Sequence, residues 1–231
     1  MSRLSIVIPV LDEAAGIAAC LEALAPLRSR GVEVIVVDGG SIDATGSIAA
    51  PLADRVESSP RGRALQMNAG ARAATGQTLL FLHADTRLPP GADRLVLDGL
   101  AGSGRAWGRF DVAIESRSRM LRVVAAFMNA RSRLTGIATG DQALFVRAES
   151  FERAGRFPAI PLMEDVALSK ALKRLSPPLC LAARARTSGR RWERHGTVRT
   201  IVLMWRLRLA YFLGADPARL AERYGAHRTA R

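Results

Sequence analysis

Two apolar runs, each followed by a helical stretch, restrict this chain more than any other feature. "LSIVIPV" (Leu4 to Val10) is a β-branched run closed by Pro9, and it reads as a buried strand ending in a turn. "VEVIVVDGGS" repeats the theme: a strand from Val32 to Val37, then Asp38 and a turn of Gly39, Gly40 and Ser41. Between the two, Ala14 to Arg28 carries Ile17, Leu21, Leu24 and Leu27 at helical spacing. Strands apolar on both faces and alternating with helices build a mostly parallel sheet covered on both sides.

The pattern continues. Ser41 to Ala50 reads as a short helix capped by Ser41 or Asp43, "DRVESS" as a third strand, and Arg63 to Ala74 as a third helix. "TLLFLHADT" (Thr78 to Thr86) is then a fourth strand that ends by presenting His83, Asp85 and Thr86. In such sheets ligands bind beyond the carboxyl ends of the strands. Three of those ends carry acids, Glu13, Asp38 and Asp85, which would repel one another unless something positive sits among them.

The second half alternates less strictly. Arg105 to Glu115 reads as extended, Arg119 to Leu134 as an amphipathic helix, "DQALFVR" as a strand, "MEDVALSKALKRL" as a helix opening near its acidic pair, and "LCLAARART" as a strand. These elements are expected to form an added layer over the first half. The expected division is a catalytic domain over 1–196, with halves 1–86 and 87–196, and a C-terminal helical segment over 197–231. In that segment Val198, Ile201, Val202, Trp205, Leu209 and Phe212 share one helical face, interrupted by Arg199, Arg206 and Arg208. A packing helix is the first expectation for Thr197 to Gly214, and a peripheral membrane contact the second.

Composition adds the charge. Lys and Arg total 34 against 21 acids, a net +13, and only Lys170 and Lys173 are lysines. Such a surplus suits either solvated faces or an anionic partner: phosphate, nucleic acid or an acidic membrane. The few aromatic residues (Phe 7, Trp 3, Tyr 2) form no stacking platform between basic residues, so nucleic acid is not an expected partner, although a basic nucleic-acid-binding protein stays the non-enzymatic alternative. The two cysteines, Cys20 and Cys180, lack zinc or disulfide spacing, and Cys20 reads as a small core residue. The N-terminus reads directly as a strand, which makes a cytoplasmic protein the default, with a peripheral position on the membrane face as its variant.

Five segments, "SIVIPVLDE", "VEVIVVDGGSIDAT", "GRALQMNAGARAATGQTLLFLHADT", "GDQALFVRAESFERAGRF" and "MEDVALSKAL", resemble glycosyltransferase family 2, the nucleotide-sugar-dependent enzymes of GT-A fold, in order from Ser5 to about Gly196. The chain looks closest to the short stand-alone members, of the kind associated with arsenosugar biosynthesis. The resemblance implies an α/β, Rossmann-like sheet and a donor that is a nucleoside diphosphate sugar, UDP-linked first and GDP-linked second. Pro9, Leu11 and Glu13 would wrap the nucleoside, Asp38 would meet the base or ribose, and Gly39 and Gly40 would let backbone approach the ligand. Asn68 and Ala84 fall in the matched segments and count with these donor contacts. "HADT" matches the metal motif. Asp85 takes the place of the coordinating carboxylate for Mn2+ or Mg2+, and His83, where an acid is commoner, would bind metal or ribose.

The same resemblance makes Asp165 the general base and implies inversion at the anomeric carbon. Glu164 and Asp141 would border the acceptor, a small molecule or a lipid-linked one. As a purely structural alternative, Glu164 and Asp165 complement the positive end of a helix. "SGRRWERHG" falls where relatives contact the diphosphate, so Arg191 joins the donor residues and His195 joins Asp85 as a metal residue. Ser188 replaces an expected glutamine there, so processive synthesis is not implied. "LLFLHADT" lacks the nucleophilic aspartate of a dehalogenase-type phosphatase, and no GxGxxG follows the first strand. A sugar nucleotidyltransferase, the enzymatic alternative, would need a Gly- and Arg-containing loop there.

Overall fold

The computed structural model describes residues 3–190, 192 and 196–229. The first half runs β1 (Leu4–Val10), α1 (Ile17–Arg28), β2 (Glu33–Asp38), α2 (Thr45–Ala49), β3 (Arg55–Ser58), α3 (Arg63–Ala73) and β4 (Thr78–Phe81). Then come β5 (Thr86–Arg87), α4 (Ala92–Ser103), β6 (Trp107–Glu115), α5 (Arg119–Thr135), a 3-10 turn (Gly140–Gln142), β7 (Phe145–Arg147), α6 (Ala148–Arg153), α7 (Glu164–Leu172) and β8 (Leu179–Ser188). Two helices follow, α8 (Thr197–Phe212) and α9 (Pro217–Thr229).

All eight strands join one sheet in the order β3-β2-β1-β4-β7-β6-β8-β5. The β3-β2-β1-β4 block is parallel throughout, as the continuous apolar runs predict. β7 runs against both β4 and β6, and β5 runs against β8. "DQALFVR" therefore splits into a 3-10 turn and a three-residue strand instead of forming one strand. The short link 82–85 leads from β4 to β5 at the far edge, so the sheet must curl to bring centre and edge together.

Alternate residues of the central strands supply two cores, one on each face. Ile6, Ile8, Val34, Val36 and Leu80 face Leu21 and Leu24 of α1 and Val96 of α4. Val7, Ile35, Val37, Leu79 and Phe81 face Met67 of α3, Phe151 of α6 and Leu168 of α7. Each such large side chain contributes about 1.5–3 kcal/mol by leaving water. α3 lies close on the sheet at Gly70, where a Cβ would come within 2.3 Å of Val7. α5 is fixed to β6 by Asn129, whose amide accepts from Val112 N–H at 2.8 Å and donates to Val112 C=O at 2.9 Å.

The C-terminal arm departs from expectation. α8 packs through Leu203, Met204, Leu207, Ala210 and Tyr211, with Met163 and Leu220 at its centre. The face carrying Val198, Val202, Trp205, Leu209 and Phe212 is exposed, Trp205 by 66% and Phe212 by 76%. Periodicity located the stripe but not which side met the core, because arginines flank both. Among the described residues no helix is long and apolar enough to cross a membrane.

Candidate active site

At the β1–β2 edge the backbone itself is the scaffold. Asp38 ends β2 in register with Val10, and its Oδ1 accepts from Gly40 N–H (3.1 Å), Ser41 N–H (2.9 Å) and Ser41 Oγ–H (2.7 Å). This holds the 39–41 turn open, with Gly40 at φ 90°, a conformation that favours glycine. The loop after β1 is laced to the next one. Asp12 N–H donates to Ser41 Oγ at 3.0 Å, Ile42 N–H to Asp12 Oδ1 at 2.9 Å, Glu13 N–H to Thr45 Oγ1 at 2.8 Å and Ala14 N–H to Asp43 Oδ2 at 3.1 Å. Ser41 thus ties loops together, while Asp43 both ties a loop and accepts from Thr45 N–H at 2.9 Å, at the first residue of α2. Beneath them Gln66, buried on α3, donates from Nε2 to Val10 C=O (2.7 Å) and Val37 C=O (2.9 Å), bridging the ends of β1 and β2.

Gln66 is a site residue that sequence reasoning missed. It also changes the account of Gly39: a Cβ there would meet the Gln66 amide at 2.9 Å, so the missing side chain admits Gln66, not a ligand. Asn68 receives a correction as well. Its amide pairs with both backbone groups of Phe157 (2.8 and 3.1 Å), which makes it a clamp on the loop before α7 and not a donor contact. Pro9 and Leu11 are half-buried along the laced loops, and Ala84 is buried in the link after β4.

In the centre, His83 faces Asp141, with Nδ1 3.3 Å from Asp141 Oδ1. Its Nε2 is buried without a hydrogen-bond partner and lies against Gly140, where a Cβ would come within 2.3 Å. His83 thus holds the link after β4 against the turn that carries Asp141. Gly140 N–H also donates to Asp165 Oδ2 at 2.9 Å, which places the acid opening α7 beside the turn that carries Asp141. Its neighbour Glu164 turns away. It is buried and pairs with Arg63 Nη1 at 3.4 Å. Burial, then the charge of Asp165, pushes the Glu164 carboxyl above its ordinary value, against the pull of Arg63.

The three strand-tip acids do not gather into a cage. β1 separates β2 from β4, so the tips behind Asp38 and Asp85 lie about 10 Å apart. Among the described residues no three His, Cys, Asp or Glu side chains group to hold a metal. Asp85 stands as a single hard oxygen donor, which fits a cation whose other ligands are phosphate oxygens and water. Arg191 and His195, expected at the diphosphate and the metal, lie outside the described residues. Cys20 is close enough to feel Asp85 and Glu13, but burial foremost pushes its thiol up to about 12, leaving it unreactive.

Beyond Asp85 opens a cavity of about 480 Å³, lined by Asp85, Asp141, Thr187 and Ser188 on its polar side. Met120, Val124, Phe127 and Met128 of α5 and Ile201, Met204 and Trp205 of α8 form the apolar walls. Arg131 and Arg208 enter it from those two helices. None of the loop residues Pro9, Leu11, Glu13, Asp38 or Gly40 lines it.

A curled, mostly parallel sheet with acids beyond its strand tips and a cavity alongside defines the GT-A class of fold. The chain belongs to glycosyl transferase family 2, whose family model matches residues 5–152, from β1 to the end of α6 and short of Asp165. PGL/p-HBAD biosynthesis glycosyltransferases of Mycobacterium bovis and Mycobacterium tuberculosis are 43% identical over 91 residues, 36% of this chain and 36% of theirs. The match thus spans about a third of those relatives' length. Among solved structures, residues 1–349 of TarS from S. aureus in complex with UDP superpose with TM-score 0.67 at 16% identity, over 80% of this chain and 60% of that one. Mannosyltransferase PcManGT from Pyrobaculum calidifontis, solved with GDP-Man and Mn2+, gives 0.65 at 20% identity, over 99% and 70%. Glucosyl-3-phosphoglycerate synthase from Mycobacterium tuberculosis, solved with phosphoglyceric acid, gives 0.61 at 21% identity, over 80% and 71%.

Proposed function

We propose that this protein is an inverting glycosyltransferase that moves one sugar from a nucleoside diphosphate sugar, UDP-linked first and GDP-linked second, to a small-molecule or lipid-linked acceptor. The observation that carries the proposal is the hydrogen bond from Gly140 N–H to Asp165 Oδ2, which sets a carboxylate beside the turn carrying Asp141, and Asp141 and Asp85 both line the cavity. Similar folds solved with UDP, UDP-GlcNAc and GDP-Man support the donor class.

In this mechanism the laced loops and Asp38 hold the nucleoside, and the diphosphate lies toward Asp85. The acceptor oxygen attacks the anomeric carbon from the face opposite the diphosphate while Asp165 takes its proton. The bond to the diphosphate breaks, its electron pair leaving with the nucleotide, and the configuration inverts. The carboxylate need not be a strong base, because the hydroxyl becomes acidic only as bonding advances. Mn2+ or Mg2+ beside Asp85 would neutralise charge on the departing diphosphate. The exposed apolar face of α8 fits a peripheral position on the cytoplasmic face of a membrane, which belongs to the same proposal.

Thermal shift with UDP, GDP and their sugars, with and without manganese, tests the donor, since ligand bound only by the native state raises Tm by mass action. A manganese-dependent shift with one nucleotide is expected, and no shift with any of them rejects the function.

A further inference from the structure

The cavity carries a further inference, which rests on the transferase function proposed above and names its acceptor class. Arg131 of α5 and Arg208 of α8 come from distant parts of the chain and enter the same cavity. Nε and Nη2 of Arg131 and Nε of Arg208 are buried without a hydrogen-bond partner among the described residues. Burial, then the charge of Arg208, brings Arg131 down to about 10, and burial lowers Arg208 too, with Asp165 and Asp141 opposing. Both remain charged at neutral pH. Two desolvated like charges with unused N–H groups are costly in an apolar slot unless an anion joins them.

The anion's character follows from the surroundings. A phosphate monoester carries nearly two negative charges at neutral pH and offers several acceptor oxygens, matching two guanidinium forks better than one carboxylate does. The remaining walls are apolar, and at the rim Phe127 and Trp205 are exposed by 66% each. A volume of about 480 Å³ is within the range of cavities that hold whole small ligands. The nucleoside loops do not line this space, which meets the donor side at Asp85. We infer that the acceptor is a long-chain phosphate amphiphile, with its phosphate between Arg131 and Arg208, its chain along Met120, Phe127 and Trp205, and a hydroxyl, not the phosphate, as the oxygen that gives its proton to Asp165.

Binding of dodecyl phosphate, dodecanol and inorganic phosphate, followed by the fluorescence of Trp192 and Trp205 in the walls, tests the inference. Dodecyl phosphate is expected to bind at least tenfold more tightly than either fragment. R131M/R208M should erase the preference over dodecanol. R94M/R122M, which removes the same charge from exposed positions, should keep it and so separates the site from general attraction to a chain of net charge +13. If R131M/R208M melts without binding, Phe127→Ser replaces it, and should weaken dodecyl phosphate several-fold more than butyl phosphate. Equal affinity for dodecanol, or R131M/R208M keeping dodecyl phosphate while losing manganese-dependent UDP binding, would overturn the assignment. UDP failing to bind the wild type while dodecyl phosphate still binds would reject the transferase function and not the phosphate site.

Discussion

The two sides of this site are built by opposite means. At the β1–β2 edge nearly every polar group has a protein partner: Asp38 accepts three hydrogen bonds, Gln66 bridges two strands, and four backbone N–H groups lace one loop to the next. Across Asp85, the cavity between α5 and α8 is apolar, and its two arginines keep buried nitrogens without partners among the described residues. A saturated network fixes one shape before any ligand arrives. An unsaturated one leaves its hydrogen-bonding capacity to whatever enters. The donor edge is therefore rigid and general, and the cavity selective.

Substitutions can break this contrast from either side. The largest effect is expected at the junction. Asp165→Asn should lower transfer by about 10²–10⁴-fold, the usual contribution of a positioned base, while UDP affinity stays within a factor of two or so by calorimetry. Equal loss of both would show that Asp165 serves the donor. Next comes Asp85→Ala, expected to remove the manganese stimulation of UDP binding, about tenfold or 1.4 kcal/mol, and to leave dodecyl phosphate binding unaltered. If amphiphile binding falls as well, the two sides are not separate.

Smaller changes probe the scaffold. Gln66→Leu strands two buried carbonyls, so a loss of about 1–3 kcal/mol is expected, read as a fall of several degrees in Tm together with weaker UDP binding. Unchanged UDP affinity would mean that the donor edge does not depend on its bridge. The smallest effect belongs to Glu164→Gln. Because the folded carboxyl lies above its ordinary 4.5, its contribution to stability is fully present below that pH and is lost as pH rises through the folded value. The Tm of E164Q should therefore gain on the wild type between pH 4 and pH 7, and a constant gap would reject the assigned burial.

The parallel first half of the fold was legible in the sequence because its signals are local. Unbroken β-branched runs meant parallel strands, and acids just past them meant strand tips. What escaped depended on distant contacts. Nothing in "RALQMNAG" marks Gln66 as the bridge between β1 and β2, and nothing in "HADT" shows that Gly140 closes over His83. Glu164 and Asp165 are adjacent, and only tertiary packing sends one to Arg63 and the other to Gly140. In α8 the apolar stripe was visible and its direction was not. The arginine pair was invisible in another way: among so many arginines no pattern singles out Arg131 and Arg208, and only their burial does.

β7 runs against its neighbours, and this has a consequence for how such a chain can diverge. A reversed strand starts where β4 stops, so the turn carrying Asp141 arrives head-on at the link carrying His83 and Asp85. No spacer joins the two, and none needs adjusting when the intervening stretch grows or shrinks. The stretch holding α4, β6 and α5 can therefore be remodelled while the meeting of that turn and that link keeps its aim.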